Sequence, residues 1–126
     1  MVSVLQNVAI DCANAYELAL FWSAVTGRPL HPDDKPGDHE TEVLLADGPV
    51  LYFNQVPEPK RGKNRLHVCL RPDTSRDEEV ARLLGLGASL VSDHRDDDGT
   101  GWAVLADPEG NEFCVLRSAA ERAATG

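Results

Sequence analysis

The sequence predicts an α+β fold: two tandem βαβββ units forming a curved mixed sheet around a concave cleft, with the helices on the outer face. Three observations predict it. The halves of the chain share an offset, since Asn7-Val8 and His67-Val68, Leu45-Ala46-Asp47 and Leu105-Ala106-Asp107, and Phe53 and Phe113 all stand 60 residues apart in a chain of 126. Each half runs from a strand-like segment through a capped helix into further strands set off by Gly, Pro and Asp turns. Each helix carries one apolar stripe, so it covers one face of its sheet and leaves the other free to curve round a ligand.

The first unit spans residues 4–56. VLQNVAI, residues 4–10, alternates weakly in the manner of a strand, and Asn14 with Glu17 three residues on forms a helix start of the capping-box kind. Leu18, Phe21, Trp22 and Val25 then recur at helical spacing, and Gly27 supplies a left-handed stop. Residues 28–40 are irregular and rich in Pro, Asp and His. TEVLLA at 41–46 and VLYFNQV at 50–56 read as strands around the turn Asp47-Gly48-Pro49. Residues 57–64 read as a linker, because Pro57, Pro59 and Gly62 frame the basic run KRGKNR, which is better explained as solvated chain than as an anion site.

The second unit, 65–117, repeats the pattern. RLHVCL at 65–70 is a strand, Ser75 and Glu78 can cap a helix bearing Val80, Leu83 and Leu84, and Gly85 and Gly87 end it. ASLVS at 88–92, WAVLA at 102–106 and EFCVL at 112–116 follow as strands, separated by the acidic loop DHRDDDG and the turn DPEGN. The tail, 118–126, has helical propensity without an apolar stripe, and no function is assigned to it. Together the segments make a single domain, 1–126.

Composition excludes several classes of partner. A net charge of −9 and a pI near 4.7 repel phosphate backbones and anionic lipid, so neither nucleic acid nor membrane is expected. No apolar run approaches the ~18 residues of a membrane span. The start MVSVLQNVAIDC lacks the basic region and cleavage site of an export signal, so the cytoplasm is the expected location. Cys12, Cys69 and Cys114 are odd in number and contain no C-x-x-C pair, which points to reduced thiols rather than a disulfide framework or a structural zinc knuckle.

Strand side chains two apart share a face, so Leu66, Val68 and Leu70 turn to the helix while His67 and Cys69 turn away. The offset puts Asn7 and Ala9 on the matching face of the first unit, with Tyr52 and Asn54 beside them, and Glu112 and Cys114 join from the last strand. A pseudo-twofold between the units would gather Asn7, Asn54, His67 and Cys114 into a polar ring. His67 can serve there as a ligand, a general base or a hydrogen-bonding wall. Glu112 can move a proton, grip an amine or stand in water at the rim. Cys69 and Cys114 read as small hydrophobes. Tyr52 and Trp102 can stack on a planar ligand or fill a sheet face, whereas Trp22 belongs to the helix stripe and the core. His31, His39 and His94 lie in loops and read as solvated, although residues 31–40 would make a flap over a cleft.

The duplicated βαβββ grammar, the segment ALFWSAVTG and above all LADPEGNEFCVL resemble the glyoxalase, bleomycin-resistance and extradiol-dioxygenase superfamily, the vicinal oxygen chelate fold, over residues 4–117. The resemblance implies a cleft for a small organic molecule, often with a divalent metal on His, Glu or Gln at four sheet positions. Carried onto this chain, those positions are Asn7, Asn54, His67 and Cys114. Two neutral amides replace metal ligands poorly, so no metal and no cofactor is expected. A metal, were one held, would rest on His67 and Cys114 with Glu112 or Cys69 as a soft site. The resemblance also implies a homodimer, since relatives of this size commonly complete the cleft with a second subunit.

The expected function is capture of a small organic compound, in the manner of the bleomycin-resistance branch, by Asn7, Tyr52, Asn54, His67, Cys69, Trp102 and Cys114. The charge of −9 favours a cationic ligand. The alternative is a lyase, isomerase or dioxygenase-type enzyme on a small carbonyl or enol substrate, with His67 and Glu112 as its catalytic proton-transfer groups.

Overall fold

Two residues bracket the first helix. Asn14, in extended backbone, accepts the Glu17 N–H on its side chain at 3.1 Å, and Gly27 closes the other end at φ +68°, returning its N–H to the Ser23 carbonyl. The computed structural model describes residues 1–125, and the chain divides into two units, one ending at Lys60 and the next beginning at Arg61.

In the first unit, β1 (Asn7–Cys12) runs into α1 (Ala15–Thr26), then β2 (Glu40–Val43) and β3 (Val50–Gln55), and the sheet order is β1-β3-β2. The strand β3 is parallel to β1 and antiparallel to β2. The helix buries Ala15, Leu18, Ala19, Phe21, Trp22 and Val25, and the sheet answers with buried Thr41, Val43, Leu51 and Phe53. The hydroxyl of Thr41 donates to the Ala15 carbonyl at 2.8 Å, which lets a polar residue sit in this core.

Two strands of this unit are shorter than the sequence pattern suggests. The first starts at Asn7 rather than residue 4 because its partner β3 starts at Val50, opposite Asn7. The second stops at Val43 rather than 46, where Leu44 N–H bonds to the Pro29 carbonyl and Leu30 makes a lone bridge to Val43. That bridge is all that remains of the unit's remaining strand. Pro29, Pro32 and Pro36 offer no N–H to a ladder, and the intervening backbone bonds to side chains instead: Asp33 N–H to His31, Lys35 N–H to Asp38, Glu42 N–H to Asp34.

The second unit carries the whole pattern: β4 (Cys69–Leu70), α2 (Arg76–Gly85), β5 (Ser89–Asp93), β6 (Ala103–Ala106) and β7 (Glu112–Val115), in sheet order β4-β7-β6-β5. Ser75 caps α2 by accepting the Glu78 N–H at 3.1 Å. Val80 and Leu83 of the helix share a buried core with Ala103, Leu105, Phe113 and Val115. A bulge between Leu90 and Ser92 shifts the register of β5 against β6.

The strand expected at 65–70 is reduced to Cys69 and Leu70. Its ladder on β7 continues only through Cys114 N–H to the Val68 carbonyl and Leu116 N–H to the Leu70 carbonyl. The next rung would use the Glu112 carbonyl, and the Asn64 side chain occupies it at 3.2 Å while Asn64 N–H reaches Glu112 Oε1 at 3.4 Å.

The hairpin between β6 and β7 is built on Asp107, which is 3% exposed. Its Oδ1 accepts the backbone N–H groups of Glu109 and Asn111 at 2.9 and 3.0 Å, and both carboxylate oxygens accept from the Asn111 amide. Pro108 starts the turn and Gly110 takes its left-handed corner at φ +86°. The tail forms α3 (Ala119–Thr125), opened by a reciprocal cap in which Glu121 N–H donates to Ser118 Oγ and Ser118 N–H to Glu121 Oε1. The same Glu121 oxygen accepts Arg76 N–H at 2.7 Å, so the tail also caps the first turn of α2. Among the described residues no helix is long and apolar enough to cross a membrane.

Candidate functional site

On the face of the second sheet turned away from α2, alternation sets Glu112 and Cys114 on β7, Cys69 on β4 and Val104 on β6. Cys69 stands opposite Cys114 in the parallel register, and Val104 stands opposite Cys114 on the other side. These residues line a cavity of about 390 Å³ together with Lys63, His67, Trp102, Phe113 and Leu116. Its wall is mainly apolar, from Trp102, Val104 and Leu116, with an imidazole, a carboxylate and an ammonium as the charged or polar points.

Of the residues singled out from sequence, His67, Cys69, Trp102, Glu112 and Cys114 meet in this one cavity. Cys114 is buried, whereas Cys69 and His67 are exposed. Burial pushes the Cys114 thiol up from its ordinary pKa, and the neighbouring Cys69 sulfur adds to the effect. The ligating atoms of His67, Cys69 and Cys114 all lie within 4.8 Å of one another.

Asn7, Tyr52 and Asn54 belong to the first unit. Tyr52 stands opposite Ala9 and Glu42, and Asn54 opposite Asp11 and Glu40, so the sheet face they share carries three carboxylates. A hydrogen bond to Glu40, then partial burial and the charges of Glu40 and Glu42, raise the Tyr52 pKa above its usual value.

Sequence reasoning passed over several contributors, Val104 among them. Lys63, read as solvated linker, borders the cavity. Leu116 closes it one residue past β7. His94, read as a solvated loop residue, stacks on Trp102 with ring centroids 4.7 Å apart and planes 19° apart, and its Nε2 meets Ser92 Oγ at 3.0 Å. The loop carrying that stack is pinned from below. Arg76, 3% exposed, donates from Nη1 to the Thr100 and Gly101 carbonyls at 3.0 and 2.9 Å, and Arg95 pairs with Asp93 and Asp77. The Arg95 hydrogen bonds hold the Asp93 carboxyl well below the usual carboxylate range.

The profile of the glyoxalase-like domain family matches residues 7–116. This chain belongs to that family. Solved structures agree on the fold, the vicinal oxygen chelate architecture of paired mixed α+β sheets. A glyoxalase/bleomycin resistance protein/dioxygenase family enzyme from Burkholderia phytofirmans PsJN superposes with a TM-score of 0.71 at 19% identity, over 90% of this chain and 97% of its own. Oxidase ChaP-H2 gives 0.60 at 19%, over 93% and 94%. The fosfomycin resistance protein FosX from Listeria monocytogenes, in complex with Mn(II) and a dihydroxypropylphosphonic acid, gives 0.69 at 15%, over 97% and 95%. No curated protein matches in sequence.

The resemblance implies, in metal-using relatives, a divalent metal on His, Glu or Gln, and the residues here do not fit one of the hard class. The donors that converge in the second unit are the imidazole of His67 and the thiols of Cys69 and Cys114, whereas manganese or magnesium wants carboxylate and water oxygens.

Proposed function

We propose that this glyoxalase-like protein binds a small organic molecule with an apolar, planar body and a cationic group, and holds no hard divalent cofactor. The observation that carries this reading is the cavity of about 390 Å³ in the second unit, an apolar wall with a few convergent polar groups, which is the usual composition of a small-molecule site. Trp102, 43% exposed and already stacked on His94, offers a flat surface for an aromatic ring or a cation. Glu112 supplies a negative charge at the same cavity, and the net charge of −9 attracts cations over a longer range. These features support a reading as a ligand-sequestering member of its superfamily.

Tryptophan fluorescence tests it. Trp22 is 3% exposed and Trp102 is 43% exposed, so a ligand entering the cavity quenches Trp102 alone. A panel of aromatic cations should yield a saturable quench that disappears in Trp102→Phe and weakens in Glu112→Gln. A quench that survives Trp102→Phe, or a panel of neutral and cationic compounds that all fail, removes the cavity from the account.

One observation favours a second reading: His67 and Glu112 share the cavity, as a proton-transfer pair would. On that reading His67→Ala and Glu112→Gln abolish turnover of a carbonyl or enol substrate while leaving the Trp102 quench in place.

A further inference from the structure

Three soft donors converge in the second unit. Cys69 and Cys114 are direct neighbours across the parallel β4–β7 pair, and His67 lies two residues before Cys69, on the same side of the chain. The Cys114 N–H bond to the Val68 carbonyl at 3.0 Å carries the register one residue beyond the strand and keeps His67 beside the pair. The ligating atoms of all three fall within 4.8 Å of one another. A zinc ion takes sulfur at about 2.3 Å and imidazole nitrogen at about 2.0 Å, which sets neighbouring donors roughly 3.5 to 4 Å apart, so small side-chain rotations close the set.

We propose that His67, Cys69 and Cys114 form a binding site for a thiophilic d10 metal ion, of the class of Zn(II) and its softer congeners. One nitrogen and two sulfurs select against magnesium and manganese and in favour of soft or borderline ions. Three protein ligands leave a fourth position, the arrangement of an open zinc site, and here that position faces the cavity lined by Trp102 and Val104. Cys114 is 8% exposed while Cys69 and His67 reach solvent, so the ion has a way in and one sheltered ligand. The site draws no ligand from the first unit, and Cys69 stands at none of the four positions that the family resemblance implies. It does not depend on which organic molecule, if any, the cavity takes.

The test uses the reduced full-length protein, freed of metal and titrated with Cd(II), whose thiolate complexes absorb in the ultraviolet by charge transfer, and with Zn(II) against a chromophoric chelator. Expected are one equivalent bound, a charge-transfer band of two thiolates, and a band halved in Cys69→Ser. Because Cys69 is exposed, that substitution spares the fold. Zn(II) affinity should fall at least about tenfold in Cys69→Ser and in His67→Ala, since removing even the groups that support metal ligands costs that much. The Cys12→Ser control, whose thiol lies in the first unit and donates to the Asn54 carbonyl at 3.6 Å, should change neither reading. A missing band, a full band in Cys69→Ser, or a band lost in Cys12→Ser overturns the proposal. The fluorescence test of the organic ligand is run on metal-free protein, so either inference fails without the other.

Discussion

Replacing Asp107 by Ala removes the acceptor at the centre of the D-P-E-G-N hairpin. Its buried carboxylate takes two backbone N–H groups, from Glu109 and Asn111, and the side-chain amide of Asn111. Hydrogen bonds to a charged group contribute about 1.5–3 kcal/mol each, and in this part-buried loop the freed donors reach water, so the lower figure applies to each backbone bond. The two together give a loss of about 3 kcal/mol. In a domain of this size that lowers the melting temperature by about 10 °C. Urea unfolding followed by circular dichroism is the assay, with the midpoint falling and the slope unchanged. The hairpin also sets Glu112 opposite Ala106 and Cys114 opposite Val104, so binding at the cavity should weaken in the same variant. Asp107→Asn, which keeps one acceptor, should lose less than half as much. A loss under about 1 kcal/mol for Asp107→Ala would mean that Pro108, Gly110 and the strand ladder hold the turn unaided, and the reasoning would be wrong.

Three further outcomes are expected. Ser118 N–H first, then Arg76 N–H, the Ser118 hydroxyl and the Arg76 charge hold the Glu121 carboxyl below its usual range. A folded-state pKa below the unfolded value near 4.3 adds stability that is present above that pH and lost as pH falls through the folded value. Acid unfolding should therefore begin below about pH 4, and Glu121→Gln should flatten its slope in a denaturation series by pH. The exposed Asp93 and Asp98 act with the same sign, and salt should remove their share first. Gly101→Ala should cost about 2 kcal/mol in the same urea assay, because Gly101 sits at φ +92° and a Cβ there collides with the His94 carbonyl. Alkylation mapped by mass spectrometry should modify exposed Cys69 before buried Cys12 and Cys114, an order reversed only if the native sheet opens.

Much of the fold was legible because it is written in local chemistry. Asn14, Ser75 and Gly27 make the caps and the stop that their residue types suggest, and the helix stripe Leu18, Phe21, Trp22 and Val25 is buried as its spacing implies. What escaped depends on competition between distant groups. The strand at 65–70 has the right alternation, yet Asn64 takes the carbonyl it would need. Residues 28–40, by contrast, are irregular as their composition suggests, with three prolines and with side-chain acceptors on His31, Asp34 and Asp38 in place of a ladder. The Ser118-x-x-Glu121 cap was visible as a motif, and attention to the missing apolar stripe hid it. The His94–Trp102 stack has no sequence signal, because it needs the tight loop that Gly101 permits and Arg76 pins.

The candidate site itself arises from a difference between the two copies. By the offset of 60, Cys69 answers to Ala9 and Cys114 to Asn54. In the first unit Ala9 stands opposite Tyr52, and Asn54 opposite Asp11, whereas in the second Cys69 stands opposite Cys114. The second parallel pair is therefore slipped by two residues relative to the first. A slip of one would have turned every side chain to the wrong face, but a slip of two preserves the faces and changes only the neighbours. Without it Cys69 would face Glu112 and the two thiols would stand apart. The sequence could place His67, Cys69 and Cys114 on one face, and only the register could make them adjacent. Moving the second thiol to the unslipped position should weaken the soft-ion site: Cys114→Ser with Glu112→Cys keeps two thiols and one imidazole on the same face, yet should bind Cd(II) with a weaker band than the native arrangement. An undiminished band in that double variant would show that the shared face, rather than the slipped register, is what gathers the metal.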